Sequence, residues 1–250
     1  MTQNILSGRI AVVTGATSGI GAATARRFAA EGASVAILGR REDRLKDLAT
    51  SLGGTVLPIA TDISSQDAVN AAAERIRAEL GRVDLVVANA GVMLGAPFDT
   101  ADTREWDEMI ATNLNGLLYT GRAFIPDLLE AASEGKPADL IHVSSVGAHQ
   151  YFQNFGIYAA SKAFVSHLSR NLRLELAPRG VRVKNVEPGV VSTELGDGML
   201  HDAGKEMVAA LRASMKPLEP EALADAITYA ASLPANVNVS ELVVVPTSQQ

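Results

Sequence analysis

Tyr158 and Lys162 stand four residues apart in Tyr158-Ala159-Ala160-Ser161-Lys162, a stretch that reads as the start of a helix. Residues at that spacing lie one above the other, so a phenol and an ammonium point the same way. A free phenol titrates near ~10, too high to trade protons readily at neutral pH. Lowering that by about 2–3 units takes roughly 3–4 kcal/mol. One ammonium at ~4 Å, at an effective dielectric of ~20, supplies about 4 kcal/mol. The two residues alone therefore predict an acid/base pair in which Lys162 lowers the phenol of Tyr158.

Such a pair needs elements that place it beside a reactant. Ile10-Ala11-Val12-Val13 is a short apolar run, read as a buried strand. It leads into Thr14-Gly15-Ala16-Thr17-Ser18-Gly19-Ile20-Gly21 and a helical pattern that stops at Gly32. Glycines at a strand-to-helix turn let backbone N–H groups approach a pyrophosphate, which makes Gly15, Thr17, Ser18, Gly19, Ile20 and Gly21 candidate dinucleotide contacts. The next strand, Ser34 to Leu38, ends in Gly39-Arg40-Arg41. An acidic residue near that point favours NAD by holding the ribose 2′-hydroxyl. Two guanidinium groups suit a 2′-phosphate instead, so NADP(H) is the expected cofactor.

Further strands are expected at Val56–Ala60, Val83–Val87, Leu140–Val143, Val181–Val186 and Glu241–Val245. The third leads to Asp62 and Ile63, where Asp62 either caps the following helix or accepts from an adenine amine. The fourth ends in Asn89-Ala90-Gly91, small residues that let a ring approach the backbone. A helix from Thr103 to about Glu130 carries Trp106, Met109, Ile110, Leu114, Leu117 and Leu118 at core spacing, with Asn113 interrupting the stripe. A polar residue there is either satisfied locally or functional. The alternation in Val181–Val186 predicts a half-exposed strand. Pro188-Gly189-Val190-Val191-Ser192-Thr193 opens a glycine-bearing, then amphipathic segment that reads as a substrate lid over 193–216. Strands alternating with helices imply a parallel sheet covered on both faces, in one domain over residues 1–250.

The composition excludes several other functions. At 250 residues the chain can bury one large core. Its net charge of −6 argues against a nucleic-acid surface. Without cysteine there are neither disulfides nor thiolate metal sites, and no His/Asp/Glu cluster has ligand spacing, so no metal is expected. The sequence offers neither a signal peptide nor a bilayer span, which makes the cytoplasm the expected location and a membrane partner unexpected.

Thr14-Gly15-x-x-x-Gly19-x-Gly21, Asn89-Ala90-Gly91, Asn113, Ser145, Tyr158-x-x-x-Lys162 and Pro188-Gly189 together resemble the short-chain dehydrogenase/reductase family over nearly the whole chain. The resemblance implies an α/β Rossmann fold, a doubly wound seven-stranded parallel sheet in the order 3-2-1-4-5-6-7. It also implies an Asn113–Ser145–Tyr158–Lys162 catalytic tetrad, in which Lys162 also holds the nicotinamide ribose and Asn113 positions a water. Ala88 departs from the family, where Asn is usual. Within the family, Gly39 to Leu45, Ile110 to Leu117, Thr193-Glu194-Leu195 and Ser232 to Val237 are similar to a particular branch. That branch holds NADP-dependent 3-hydroxy-acid (serine-type) dehydrogenases and clavulanate-type aldehyde reductases.

The activity implied is interconversion of a carbonyl compound and an alcohol, with a 3-hydroxy-acid dehydrogenase and a non-catalytic NADP sensor as the alternatives. Ser145, His149, Tyr151, Phe155 and Met199 are the candidate substrate contacts, and the apolar ones favour a neutral carbonyl over an acid. Lys205, Arg212 and Lys216 are the basic residues through which the lid could anchor an acid. Phe124 and Leu128, with Phe164, Leu168 and Leu172, read as second apolar faces, so a homo-oligomer (tetramer or dimer) is expected.

Overall fold

Strands that are apolar along their whole length must be covered on both faces, and crossover helices supply the cover. The computed structural model describes residues 4–249. β1 (Ile10–Thr14) leads into α1 (Gly19–Ala30), β2 (Ser34–Gly39) into α2 (Glu42–Ser51), and β3 (Val56–Ala60) into α3 (Gln66–Glu79). β4 (Leu85–Ala88) is followed by α4 (Thr103–Met109), a π-helical stretch over Ile110–Gly116, and α5 (Leu117–Ser133). β5 (Asp139–Val143), α6 (Gly156–Leu176), β6 (Arg182–Pro188), α7 (Asp202–Ser214), α8 (Pro220–Ser232) and β7 (Glu241–Val244) complete the chain. All seven strands pair in parallel in the order β3-β2-β1-β4-β5-β6-β7, as the resemblance implied.

Alternate residues of each strand serve opposite layers. Ala11, Val13, Val35, Ile37, Leu85 and Val87 share one buried cluster with Phe28 of α1, Leu45 of α2 and Ile227 of α8. Their neighbours Val12, Ala36, Leu38, Val86 and Leu140 share the other with Ile76 of α3 and with Phe124 and Leu128 of α5. The strand order reverses between β1 and β4, so their connections leave to opposite sides and open a crevice at the strands' C-terminal ends. No helix among the described residues is long and apolar enough to cross a membrane.

Three expectations are corrected. β6 is buried along its whole length rather than half exposed, because its charged residues have buried partners. Fully buried Asp139 accepts from Arg182 Nε and Nη2 at 2.8 and 2.7 Å and from Arg9 Nη2 at 2.9 Å. Lys184 Nζ lies 3.2 Å from the same carboxylate and donates to Asn238 Oδ1 at 2.7 Å. Secondly, Phe124 and Leu128 are fully buried in the core and offer no second apolar face for assembly. Thirdly, Ile110 and Leu118 are exposed. The π-helical stretch between α4 and α5 breaks the 3.6-residue period on which their core assignment rested.

His142, inside β5, is buried as expected of a packing residue. Its Nδ1 pairs with Ser169 Oγ at 2.8 Å, while Nε2 has no partner, and burial pushes the imidazole down to about 4. Below its unfolded value of ~6.5 the unfolded chain takes up a proton that the folded one resists, so stability is lost as pH falls from there. Between pH ~6.5 and ~4 this one residue should cost on the order of 3 kcal/mol. His142→Leu should flatten that acid limb. Urea denaturation of both proteins at about pH 7 and about pH 4.5 measures the difference.

Candidate active site

The crevice is built first by the junction of two loops. The hydroxyl of Thr14, at the end of β1, accepts from the backbone N–H groups of Asn89 and Ala90 at 3.0 and 3.1 Å. Asn89 Nδ2 donates back to Thr14 O at 2.9 Å. The loops after β1 and β4 are thereby stitched together, and they meet so closely that side chains are excluded. Gly15 has φ +67°, and a Cβ there would lie 2.7 Å from Ala90 Cα. A Cβ on Gly21 would lie 2.3 Å from Gly15 O, so Gly21 packs beneath the turn rather than in the cleft. Ser18 begins α1 without a side-chain cap, and the first turn carries no acidic residue. The positive end of that helix faces the open space.

A cleft of about 590 Å³ runs over this turn. Gly15, Thr17, Ser18, Gly19 and Ile20 line its floor, with Asn89, Ala90 and Gly91 beside them. Pro188, Gly189, Val191 and Thr193 line the facing wall, and Thr193 Cγ2 would lie 3.0 Å from a Cβ on Gly19. Arg40, Arg41, Asp62 and Ile63 close one end. Arg41 donates to Thr17 Oγ1 through Nη2 at 2.7 Å, to Ser18 Oγ at 2.9 Å, and through Nη1 to Glu194 Oε2 at 2.7 Å. Arg40 is more exposed and lies 3.8 Å from Glu108 Oε1. Asp62 accepts from the N–H and the hydroxyl of Ser64, which holds its carboxyl below the usual range, with help from the Arg40 charge. The cap on α3 comes from Ser65 instead, whose hydroxyl accepts from Ala68 N. A side-chain-free turn, an uncapped helix start and guanidinium groups beyond it fit a dinucleotide.

The four predicted catalytic residues gather at the other end. Ser145 follows β5, accepts from Gly147 N at 3.0 Å, and its hydroxyl hydrogen-bonds the phenol of Tyr158. Lys162 Nζ donates to Val143 O at 2.9 Å. Asn113 lies in the π-helical stretch, where its side chain clamps Val92 by accepting from its N–H at 2.8 Å and donating to its carbonyl at 2.9 Å. A Cβ on Gly91 would stand 3.2 Å from Asn113 Oδ1 and 3.6 Å from Lys162 Nζ, so both groups face one side of the cleft.

The electrostatics reverse one expectation. Lys162 Nζ lies 5.8 Å from the centre of the Tyr158 ring, and the phenol is not lowered by it. Burial raises Tyr158 to about 12, against a smaller downward pull from Ser145, and burial lowers Lys162 to about 8. Removal from water dominates both shifts because it penalises the charged form of each group.

Near the tetrad the cleft is lined by Met93, Leu94, Val146, Phe152 and Phe155, and across from them by Met207, Val208 and Leu211 of α7. Of the candidate substrate contacts, Phe155 and Ser145 line the cleft. His149, Tyr151 and Met199 do not line the cleft. His149 Nε2 turns to buried Glu187 at 3.0 Å, Tyr151 is fully exposed, and Met199 is buried in a cluster with Leu94, Met109 and Phe155. Val208 and Leu211 escaped the sequence reading, although with Met207 they form the apolar face of an amphipathic helix. Lys205 donates to Leu200 O and Asp202, and Arg212 Nη2 to Thr193 O and Leu195 O at 2.8 and 3.0 Å.

Fold and site together define an oxidoreductase: residues 9–203 match the model of the short chain dehydrogenase family, and the chain belongs to it. Among relatives, it is 38% identical over 244 residues to sulfoacetaldehyde reductase 2 of Chromohalobacter salexigens, covering 96% of this chain and 95% of that one. A serine dehydrogenase in complex with NADP+ superposes with a TM-score of 0.86 at 33% identity, over 96% of each chain. A 3-ketoacyl-(acyl-carrier-protein) reductase from Brucella melitensis, complexed with NADH, gives a TM-score of 0.87 at 30% identity. The alignment covers 96% of this chain and 98% of the reductase.

α7 is seated on the cleft by a close backbone contact. A Cβ on Gly204 would lie 2.2 Å from Gly95 O, a distance that only displacement of the helix could relieve. Gly204→Ala should therefore lift α7 and move Met207 and Leu211 from the catalytic end. The expected outcome is a fall in kcat/KM of about tenfold or more, roughly 1.4 kcal/mol. Faster proteolytic nicking between residues 196 and 204 should accompany it.

Proposed function

We propose that this protein is an NADP(H)-dependent oxidoreductase that interconverts a neutral, largely apolar aldehyde or ketone and its alcohol. The observation that carries this reading is the pairing of the Ser145 hydroxyl with the Tyr158 phenol at the apolar end of the cleft. Two O–H donors side by side can share one substrate oxygen. The phenol, held at about 12, is protonated at neutral pH and gives its proton as negative charge builds on that oxygen. Ser145 donates a second hydrogen bond to the same developing charge. The Lys162 ammonium adds a favourable field from the buried wall behind. NADPH, held over the glycine-rich turn with its 2′-phosphate towards Arg40 and Arg41, would supply the hydride for the carbonyl carbon.

Support for NADP comes from Arg40 and Arg41, which stand where a carboxylate would favour NAD, and from the NADP+ complex of the serine dehydrogenase. The ketoacyl reductase with NADH keeps NAD as the competing choice. Support for a neutral substrate comes from the apolar lining beside the tetrad, while Lys205 Nζ and Arg212 Nη2 donate to groups of the lid itself. Sulfoacetaldehyde and serine both carry an anionic group, so those two likenesses support the acid reading instead.

Tyr158→Phe removes only the proton donor. It should retain NADPH binding while turnover falls well beyond tenfold. A loss within about tenfold, roughly 1.4 kcal/mol, would falsify the assignment. The substrate reading is checked by NADPH oxidation against a panel of aldehydes and ketones, and by NADP reduction with alcohols and 3-hydroxy acids. Neutral compounds should exceed acids of similar size in kcat/KM, and NADP should exceed NAD by roughly tenfold or more. Acids turned over far more efficiently would establish the 3-hydroxy-acid reading, and no turnover at all the binding-protein one.

A further inference from the structure

Glu194 lies at the start of the lid segment and closes the arginine end of the cleft. Its Oε2 accepts from Arg41 Nη1 at 2.7 Å, and both its oxygens accept from Arg44 Nη1 at 2.7 and 2.8 Å. Arg44 lies in the first turn of α2. Nε and Nη2 of Arg41 donate to Thr17 and Ser18 in the glycine-rich turn, so that guanidinium is fixed to the floor of the cleft. Glu194 is fixed from the other side, because Arg212 holds the carbonyls of Thr193 and Leu195 on either side of it.

We propose that Glu194 determines cofactor selectivity: its carboxylate occupies the Arg41–Arg44 pair as an internal anion, and a ribose 2′-phosphate must take those donors from it. The inference rests on the NADP reading above. The two arginines hold the carboxyl below the usual carboxylate range by donating to it. Glu194, Arg41 and Arg44 are each nearly half exposed, so their ion pairs are screened by solvent and exchange readily. A phosphomonoester brings ~1.5–2 negative charges and three acceptor oxygens against the carboxylate's one charge and two. It therefore wins the arginines, at a reduced net gain. An unphosphorylated 2′-hydroxyl brings no charge and leaves Glu194 in place. The carboxylate thus narrows the preference that the arginines create, and Arg44 becomes a phosphate contact.

Binding of adenosine 2′,5′-bisphosphate and of 5′-AMP, measured by calorimetry at one low ionic strength, tests this without turnover. Glu194→Gln keeps the side chain's size on an exposed site and removes only the competing charge. It should bind the bisphosphate about threefold to tenfold more tightly and 5′-AMP within about twofold of wild type. Arg44→Ala should weaken the bisphosphate several-fold and leave 5′-AMP alone. Unchanged or weaker bisphosphate binding by Glu194→Gln, in a protein that still prefers the bisphosphate, overturns the inference and leaves the NADP reading standing. A wild-type protein that binds both probes equally overturns the NADP reading and this inference with it.

Discussion

Exclusion of water from one small volume sets the chemistry of the site. Tyr158 and Lys162 are both buried, and burial drives each towards its uncharged form, the phenol up to about 12 and the ammonium down to about 8. A proton therefore stays on Tyr158 until negative charge appears on a neighbouring oxygen. Such a group interacts more strongly with a transition state than with a neutral ground state, which is the condition for a donor to accelerate a reaction. The apolar lining from Phe152, Phe155, Met207 and Leu211 maintains that condition, so the shape of the substrate end and the behaviour of the acid are one property.

The two ends of the sheet divide the polar work. At the N-terminal ends of β1, β4, β5 and β6, Arg9, Asp84, Asp139, Arg182 and Lys184 form a buried ionic cluster. Losing one member of such a cluster leaves an uncompensated charge, at a cost of about 3–5 kcal/mol. These strands carry at their opposite ends Thr14, Asn89, Ser145 and Pro188, which line or brace the cleft. Charge is spent on register at one end, and directed at ligands at the other.

What the sequence disclosed, and what it withheld, follows from range. The positions of most strands, the glycine-rich turn and the face shared by Tyr158 and Lys162 depend on local spacing, which is legible, whereas strand order came only through the resemblance to the family. Phe124 and Leu128 were misplaced because an apolar stripe does not say which neighbour covers it. β6 was misjudged because alternation in Val181 to Val186 signals exposure only when no buried counter-ion waits elsewhere, and Asp139 lies forty-three residues from Arg182. The phenol's shift was given the wrong sign because a pairwise Coulomb estimate omits desolvation, which depends on every atom packed around the ring. Tyr151 and His149 failed for a related reason: a loop's residues share a neighbourhood, but their directions are set by partners such as Glu187.

The π-helical stretch at Ile110–Gly116 amounts to one surplus residue threaded into an otherwise continuous rod. Each residue of an α-helix turns the chain by about 100°. Removing one would restore ordinary pitch and swing everything beyond it through that angle. Leu117, Phe124 and Leu128 would leave their seats if Asn113 kept its clamp on Val92, and Asn113 would leave if they stayed. The phase offset thus lets one rod serve the clamp on the loop after β4 and the core beneath α5 at once.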